Sequence, residues 1–406
     1  MRTITYDVQV PTATVTLPVN FMNSSQSTIE GTAEDAPAGI AFVEIAISSD
    51  STGNPGAWWD GADFTANLGD PGTYRSTNTY TLGSPDSWTY NRPALTQGVE
   101  YLVVLRTTDK AGNVRTQTIG EGITFVYDET GPTATIVDPN EDYEKSLPIL
   151  SGGSSDPTTS ITNVEVAIST GIAAPYTAQV WNGSSWQAGP SLVWINATAE
   201  NPPFNTNNEN WFLDHSTPTW INDVVYKIHV RAKDAADNTG TVNTSTFTFD
   251  DTPATAGVVI PAGDSAHRAL TLVTGTMSDF PNPTPTIVQI ALRNPAHNFW
   301  NGSDFVGYHS VNSWLPATQV FDSTWTFTNL PSTWDDRTIY RLYARAIDAA
   351  GNPVQDPPVW ATAGRPFTID YSSPTSSVDS LSTTATSYIN VSLTVVSGTA
   401  DEEAGG

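Results

Sequence analysis

The sequence predicts an all-β protein made of β-sandwiches in tandem, arranged as an elongated rod. Three observations carry that prediction. Four landmarks recur in one fixed order with a period near 120 residues, which marks a repeat architecture. Within each period, short runs of alternating apolar and polar residues are separated by Gly, Pro, Asn and Asp, the pattern of sandwich or barrel strands. The composition agrees: Thr, Val, Ile, Tyr and Trp accompany 38% hydrophobic residues, while Glu-, Lys- and Leu-rich helical stretches are nearly absent.

The first landmark is a strand end with an aspartate, followed within a few residues by proline. It reads "TYDVQVPTAT", "VYDETGPTAT", "TFDDTPATAG" and "TIDYSSPTSS". Its aspartates, Asp7, Asp128, Asp250 and Asp370, stand 121, 122 and 120 residues apart. The second is an alternating run ending in glycine and then an acid: Gly31 with Asp35, Gly152 with Asp156, Gly275 with Asp279, and Gly398 with Asp401 or Glu402. The third is an alternating strand, "FVEIAIS", "NVEVAIS" and "IVQIALR", followed by an aromatic turn, "WWDG", "VWNG" and "FWNG". The fourth is a long strand ending in an acidic turn: "RTTDKAGN" with Asp109, "RAKDAADN" with Asp234 and "RAIDAAGN" with Asp348. Between the third and fourth lies a tryptophan-bearing strand, "SWTYN", "NWFLD" or "TWTFT".

These runs are assigned in order. Strand A follows the linker proline, and B ends at the glycine landmark. C is the "VEIAI" run, and an aromatic hairpin follows it. E carries the tryptophan, F carries a tyrosine near its start, and G precedes the next linker. Tyr101, Tyr226 and Tyr340 fall where an immunoglobulin-like sandwich has its corner tyrosine. The chain has no cysteine, so tryptophans and tyrosines must fill the core in place of a disulfide. The expected domains are residues 11–128, 129–250 and 251–370. Residues 1–10 match the last strand and linker of a preceding repeat, and 371–406 match only the first strands of a further one. The incomplete ends are expected of a slice from a longer array. Completion by strands of another subunit would be the alternative.

The "RAxDxAGN" ends of F and the "FxxDxxxPT" linkers resemble bacterial immunoglobulin-like (Big-type) tandem domains, the stalk modules of large extracellular adhesins and surface proteins. The resemblance covers roughly residues 11 to 370. It implies an extracellular, structural role, and calcium that stiffens the junctions between domains.

In such a topology the linker, the end of B and the end of F all lie at the head of the sandwich. Three sequence-distant acids therefore converge there. They are Asp7, Asp35 and Asp109 in the first repeat, Asp128, Asp156 and Asp234 in the second, and Asp250, Asp279 and Asp348 in the third. Asp370 would open a fourth set. Packed carboxylates repel one another unless a cation lies between them, and an all-oxygen set suits Ca2+. The absence of cysteine and five scattered histidines argue against zinc or copper. Asn113, Asn238 and Asn352 are expected to lend carbonyl oxygens. The alternative is a plain β-turn, in which the aspartate caps backbone N–H groups and glycine supplies a positive φ.

With 42 acidic and 16 basic residues, the net charge of −26 opposes binding to nucleic acid and to anionic membranes. No apolar run is long enough for a membrane-spanning helix. The turn tryptophans Trp59, Trp181 and Trp300 have two readings: hairpin and core packing, or an exposed row that stacks on a glycan. Their Asp/Asn-Gly turns predict type I′ hairpins. His215, His229, His267, His297 and His309 share no motif, and no nucleophile, zinc or P-loop signature occurs. The sequence is therefore read as a non-enzymatic structural or adhesive module whose partners are neighbouring repeats and further copies of itself, with a glycan- or host-surface-binding module as the alternative.

Overall fold

The computed structural model describes residues 6–77, 79–81, 85–171, 179–189, 191–214, 220–279, 287–307, 314–352, 364–378 and 397–401. They form strands and one short 3-10 turn, Ile119–Glu121. No helix among them is long and apolar enough to cross a membrane. The chain divides into two compact units: Met1–Asn140 with Leu147–Thr219 and Tyr226–Thr246, and Glu141–Ser146 with Trp220–Val225 and Phe247–Gly406.

In the first unit, strands A (Thr12–Leu17), B (Thr28–Glu34) and E (Asp86–Asn91) form one sheet, extended by Thr79–Thr81. The other sheet runs from a short strand A′ (Phe21–Met22) through G (Ile123–Tyr127), F (Glu100–Asp109) and C (Ile40–Ser48) to the hairpin Trp58–Trp59 and Phe64–Ala66. This is the immunoglobulin-like arrangement, A-B-E against A′-G-F-C. The same unit repeats the order with A (Thr133–Asp138), B (Ile149–Ser155), E (Asn208–Asp214) and C (Ile161–Thr170), the last followed by the hairpin Gln179–Trp181 and Trp186–Ala188. The second unit holds a complete third copy, from A (Thr255–Ile260) and B (Val273–Ser278) to F (Thr338–Ile347) and G (Arg365–Ile369). A last pair, Thr375–Val378 with Gly398–Asp401, matches A and B alone. Its register sets Thr375 opposite Asp401, as Thr12 is opposite Glu34 and Thr255 opposite Ser278. The position equivalent to Asp35 is therefore 402 rather than 401, and Glu402 lies outside the described residues.

The glycine landmark has a steric cause. Strand B alternates buried and half-buried residues, and its central glycine lies beneath the tryptophan of E. A Cβ on Gly31, Gly152 or Gly275 would lie 2.2, 2.6 or 2.2 Å from the ring of Trp88, Trp211 or Trp325, and about as close to a carbonyl of strand A. Each indole N–H is thereby free to bond a strand B carbonyl, Thr32 O, Gly153 O or Thr276 O, at 3.1–3.2 Å. These three tryptophans are fully buried, as are Tyr101, Tyr226 and Tyr340. Two corner tyrosines accept a backbone N–H five residues upstream: Thr96 N to Tyr101 Oη at 2.8 Å and Asp335 N to Tyr340 Oη at 3.1 Å.

The aromatic hairpins form as expected, but their turns are not type I′, which needs positive φ at both central residues. Only the glycines, Gly61, Gly183 and Gly302, have positive φ. The preceding Asp60, Asn182 and Asn301 instead cap the turn, each side-chain oxygen accepting two backbone N–H groups at 2.8–2.9 Å. An aspartate or asparagine that caps its own turn removes the need for a left-handed residue there.

Candidate metal centres at the heads of the repeats

Each predicted triad is assembled. Asp7, Asp35 and Asp109 each place a carboxylate oxygen within 4.8 Å of the others, as do Asp128, Asp156 and Asp234, and Asp250, Asp279 and Asp348. The topology explains the convergence: strands B and F both end where the linker crosses into A. Burial is deepest in the second triad, where Asp128, Asp156 and Asp234 are 0%, 2% and 1% exposed. Asp370 repeats the linker geometry, its N–H bonded to His267 O as that of Asp128 is to Met22 O. No triad forms around it among the described residues.

The turn geometry is present and leaves the triads assembled. Asp109 Oδ1 accepts the Asn113 N–H at 2.8 Å, and Asp234 Oδ1 accepts that of Asn238 at 2.8 Å. Gly112 and Gly351 take positive φ, and Asp237, where the second repeat lacks the glycine, takes φ 64. The asparagines do not lend carbonyl oxygens here. Their amide nitrogens face inward, since Asn113, Asn238 and Asn352 each donate Nδ2 to the backbone oxygen of the linker aspartate, at 3.3, 2.9 and 2.7 Å. They tie the end of F to the linker.

The electrostatics are those of a site short of positive charge. Burial, with Asp7 and Asp109 alongside, pushes the Asp35 carboxyl up. Burial works against the Asp109 carboxylate, but hydrogen bonds from Asn113 and the backbone hold it below the usual range. Burial pushes Asp234 up, with the Asp128 charge adding to it. Asp250 is raised by burial and by Asp348, Asp223 and Asp251. Asp279 is pushed up to about 7 by burial and the charges of Asp250, Asp348 and Asp223. Ion pairs among the described residues include Arg106 with Glu44, Arg115 with Glu121, and Arg231 and Lys233 with Glu165; none of these includes a triad aspartate. Asp156 Oδ2, Asp279 Oδ2 and Asp348 Oδ2 are buried with no hydrogen-bond partner. An unpartnered buried carboxylate oxygen is costly, and a hard cation with oxygen ligands removes the cost. The donor set fits calcium.

The tryptophans offered as glycan contacts are corrected by the structure. Trp181 and Trp300 are 5% and 7% exposed. Trp181 packs on Trp186 at 5.5 Å, and Trp300 packs on Phe305 while donating Nε1–H to Asn329 O at 2.9 Å. Trp59 is half-buried against Phe64 and the first core. Closing each hairpin folds its indole onto the C–F sheet, so the exposed aromatic row is absent among the described residues.

Two features escaped the sequence reading. The turn before each F strand clamps the linker that follows: Gln97 Oε1, Asn222 Oδ1 and Asp336 Oδ1 accept the N–H of Glu129, Asp251 and Tyr371 at 2.7, 2.7 and 2.8 Å. Each clamp residue stands four positions before a corner tyrosine, but the three differ in type and share no motif. In addition, the arginine that opens each acidic motif lies over an aromatic ring, with Arg106, Arg231 and Arg345 4.1–4.2 Å from Tyr74, Trp194 and Trp314.

No known protein family and no curated protein matches the chain. Among solved structures it is similar to the fibronectin(III)-like modules of Clostridium thermocellum CbhA, at 13% identity and TM-score 0.32 over 59% of this chain and 94% of that one. It is also similar to the chicken CNTN1 FN1–FN3 domains, at 12% identity and TM-score 0.28 over 84% and 94%. A third similarity is to an ICAM-5 D1–D4 ectodomain fragment, at 9% identity and TM-score 0.32 over 91% and 80%. At these scores nothing of what those proteins bind or assemble with carries over. The chain's own strand order makes it a tandem immunoglobulin-like β-sandwich protein.

Proposed function

We propose that this chain is a non-enzymatic structural module of a long extracellular bacterial surface protein, fibre or sheath. Residues 11–128, 129–250 and 251–370 are its repeats, and calcium at the carboxylate triads stiffens the linkers between them. One observation carries this reading: three sequence-distant aspartates meet at the head of each repeat, and no basic side chain among the described residues pairs with them. Bound calcium ties the linker to the ends of B and F, fixing the direction in which the chain enters each sandwich. Neighbouring repeats and further copies of the protein are its partners. The glycan-binding alternative keeps only the half-buried Trp59 in its favour. Small-angle scattering of the chain in calcium and in chelator tests the reading. The stiffened linker predicts a profile that broadens when calcium is stripped, and superimposable profiles would remove calcium from the account.

A further inference from the structure

The three triads differ in how far hydrogen bonds already satisfy them. In the second, Asp128 Oδ1 accepts from Gln97 Nε2 at 2.7 Å, and Oδ2 accepts from the Thr159 hydroxyl at 2.7 Å. Asp234 Oδ2 accepts from Asn238 Nδ2 at 2.9 Å, and Asp156 Oδ1 from the N–H groups of Thr158 and Thr159. In the first, Asp109 Oδ2 accepts from Asn113 Nδ2 at 2.7 Å, and Asp7 and Asp35 each accept a backbone N–H.

The third triad departs from this pattern at one hydrogen bond. Asn352 Nδ2 bonds Asp250 O at 2.7 Å, as Asn113 and Asn238 bond their linker aspartates, and more weakly Thr252 O at 3.5 Å, but it makes no bond to Asp348 Oδ2. Asp348 Oδ2 is left buried without a partner, on a residue only 3% exposed.

The preceding turn differs too. Gly98 and Asp223 hold equivalent places: each donates its N–H to the last residue of a strand G, Tyr127 O at 2.8 Å in the first repeat and Phe249 O at 2.7 Å in the second, whose G is Asn243–Phe249, and each has positive φ, 76 and 63. Where the turn before the second triad has a glycine beside the amide donor Gln97, the turn before the third has a carboxylate. Asn222 Nδ2 donates to Asp223 Oδ2 at 2.6 Å, so no donor corresponding to Gln97 reaches Asp250 among the described residues.

We propose that Asp250, Asp279 and Asp348 form the primary divalent-cation site of the chain, that it fills before the other two triads, and that Asp223 adds a fourth negative charge beside it. The second triad, held largely by its own hydrogen bonds, fills later. The ranking follows from charge and desolvation. A cation gains most where buried oxygens have no other donor and where the carboxylate count is highest. The proposal rests on the calcium reading above.

Calorimetric titration of the whole chain with calcium tests it, with circular dichroism confirming the fold of each variant. Asp348→Asn is expected to weaken the tightest binding phase by about tenfold or more. Asp156→Asn leaves that phase intact. Asp223→Gly, which the left-handed backbone accommodates as it does Gly98, weakens the tightest phase by about fivefold. Loss of the tightest phase in Asp156→Asn, or equal affinities at all sites, overturns the ranking while leaving the calcium reading standing. An unchanged Asp223→Gly titration overturns the role of Asp223. Absence of any calcium binding overturns both the ranking and the reading beneath it.

Discussion

Trp88 lies directly over Gly31, and its indole N–H bonds Thr32 O at 3.2 Å on the same strand. The contact leaves no room for a methyl group, because a Cβ on Gly31 would stand 2.0 Å from the backbone oxygen of Thr14. Gly31→Ala must therefore separate strands A and B or displace the tryptophan. We expect a loss of about 3 kcal/mol in urea denaturation of the chain, at the upper end of overpacking costs. Gly257→Ala is the control. A Cβ there meets nothing closer than 3.7 Å, and stability should be nearly unchanged.

The corner tyrosine makes a smaller and separable contribution. Tyr101→Phe keeps the buried ring but leaves the Thr96 N–H without its acceptor. The expected loss is about 1–2 kcal/mol, read from the shift in denaturation midpoint at constant slope.

Trp300→Ala removes a buried indole packed against Phe305 and bonded to Asn329 O. We expect a destabilisation of about 3–5 kcal/mol, measured by calorimetry. A change in glycan binding with undiminished stability would instead restore the exposed-aromatic reading.

The pH response of the triads should reverse with calcium. Asp279 stands at about 7 in the folded chain against an ordinary 3.8, and burial is the leading cause. A carboxyl raised on folding is protonated in the folded state over a range where the unfolded chain has lost that proton. The fold is thus favoured at low pH, and that advantage is lost as pH rises toward 7. In chelator, thermal stability should rise as pH falls from 8 to 5. In calcium, protons compete with the cation, and the stabilisation by calcium should shrink over the same range. A gap between the two curves that is independent of pH would contradict this.

Much of the fold and the triads was legible because period, glycine and aspartate positions are properties of the chain itself. Spacings near 120 residues aligned the linker, the end of B and the end of F, and the topology then brought Asp7, Asp35 and Asp109 together. What escaped depends on side-chain direction. "WNG" does not reveal whether an indole turns toward the sheet, and that turn decided the fate of Trp181 and Trp300. "QG", "ND" and "DR" before the corner tyrosines have no common chemistry, so the clamp formed by Gln97, Asn222 and Asp336 appears only when the backbone is seen. The asparagine amides were misjudged for a related reason: the linker carbonyls they face take a donor, not an acceptor.

Thermal unfolding of the whole chain at pH 7.5, in millimolar calcium and in excess EDTA, tests the central claim most directly. If the triads bind calcium in the folded state, the midpoint rises with calcium concentration, as for any ligand that binds the folded state alone. Asp348→Asn combined with Asp234→Asn and Asp109→Asn then abolishes most of the rise. Coincident unfolding curves with and without calcium would contradict the account, and would leave the nine aspartates as turn caps that tolerate their crowding.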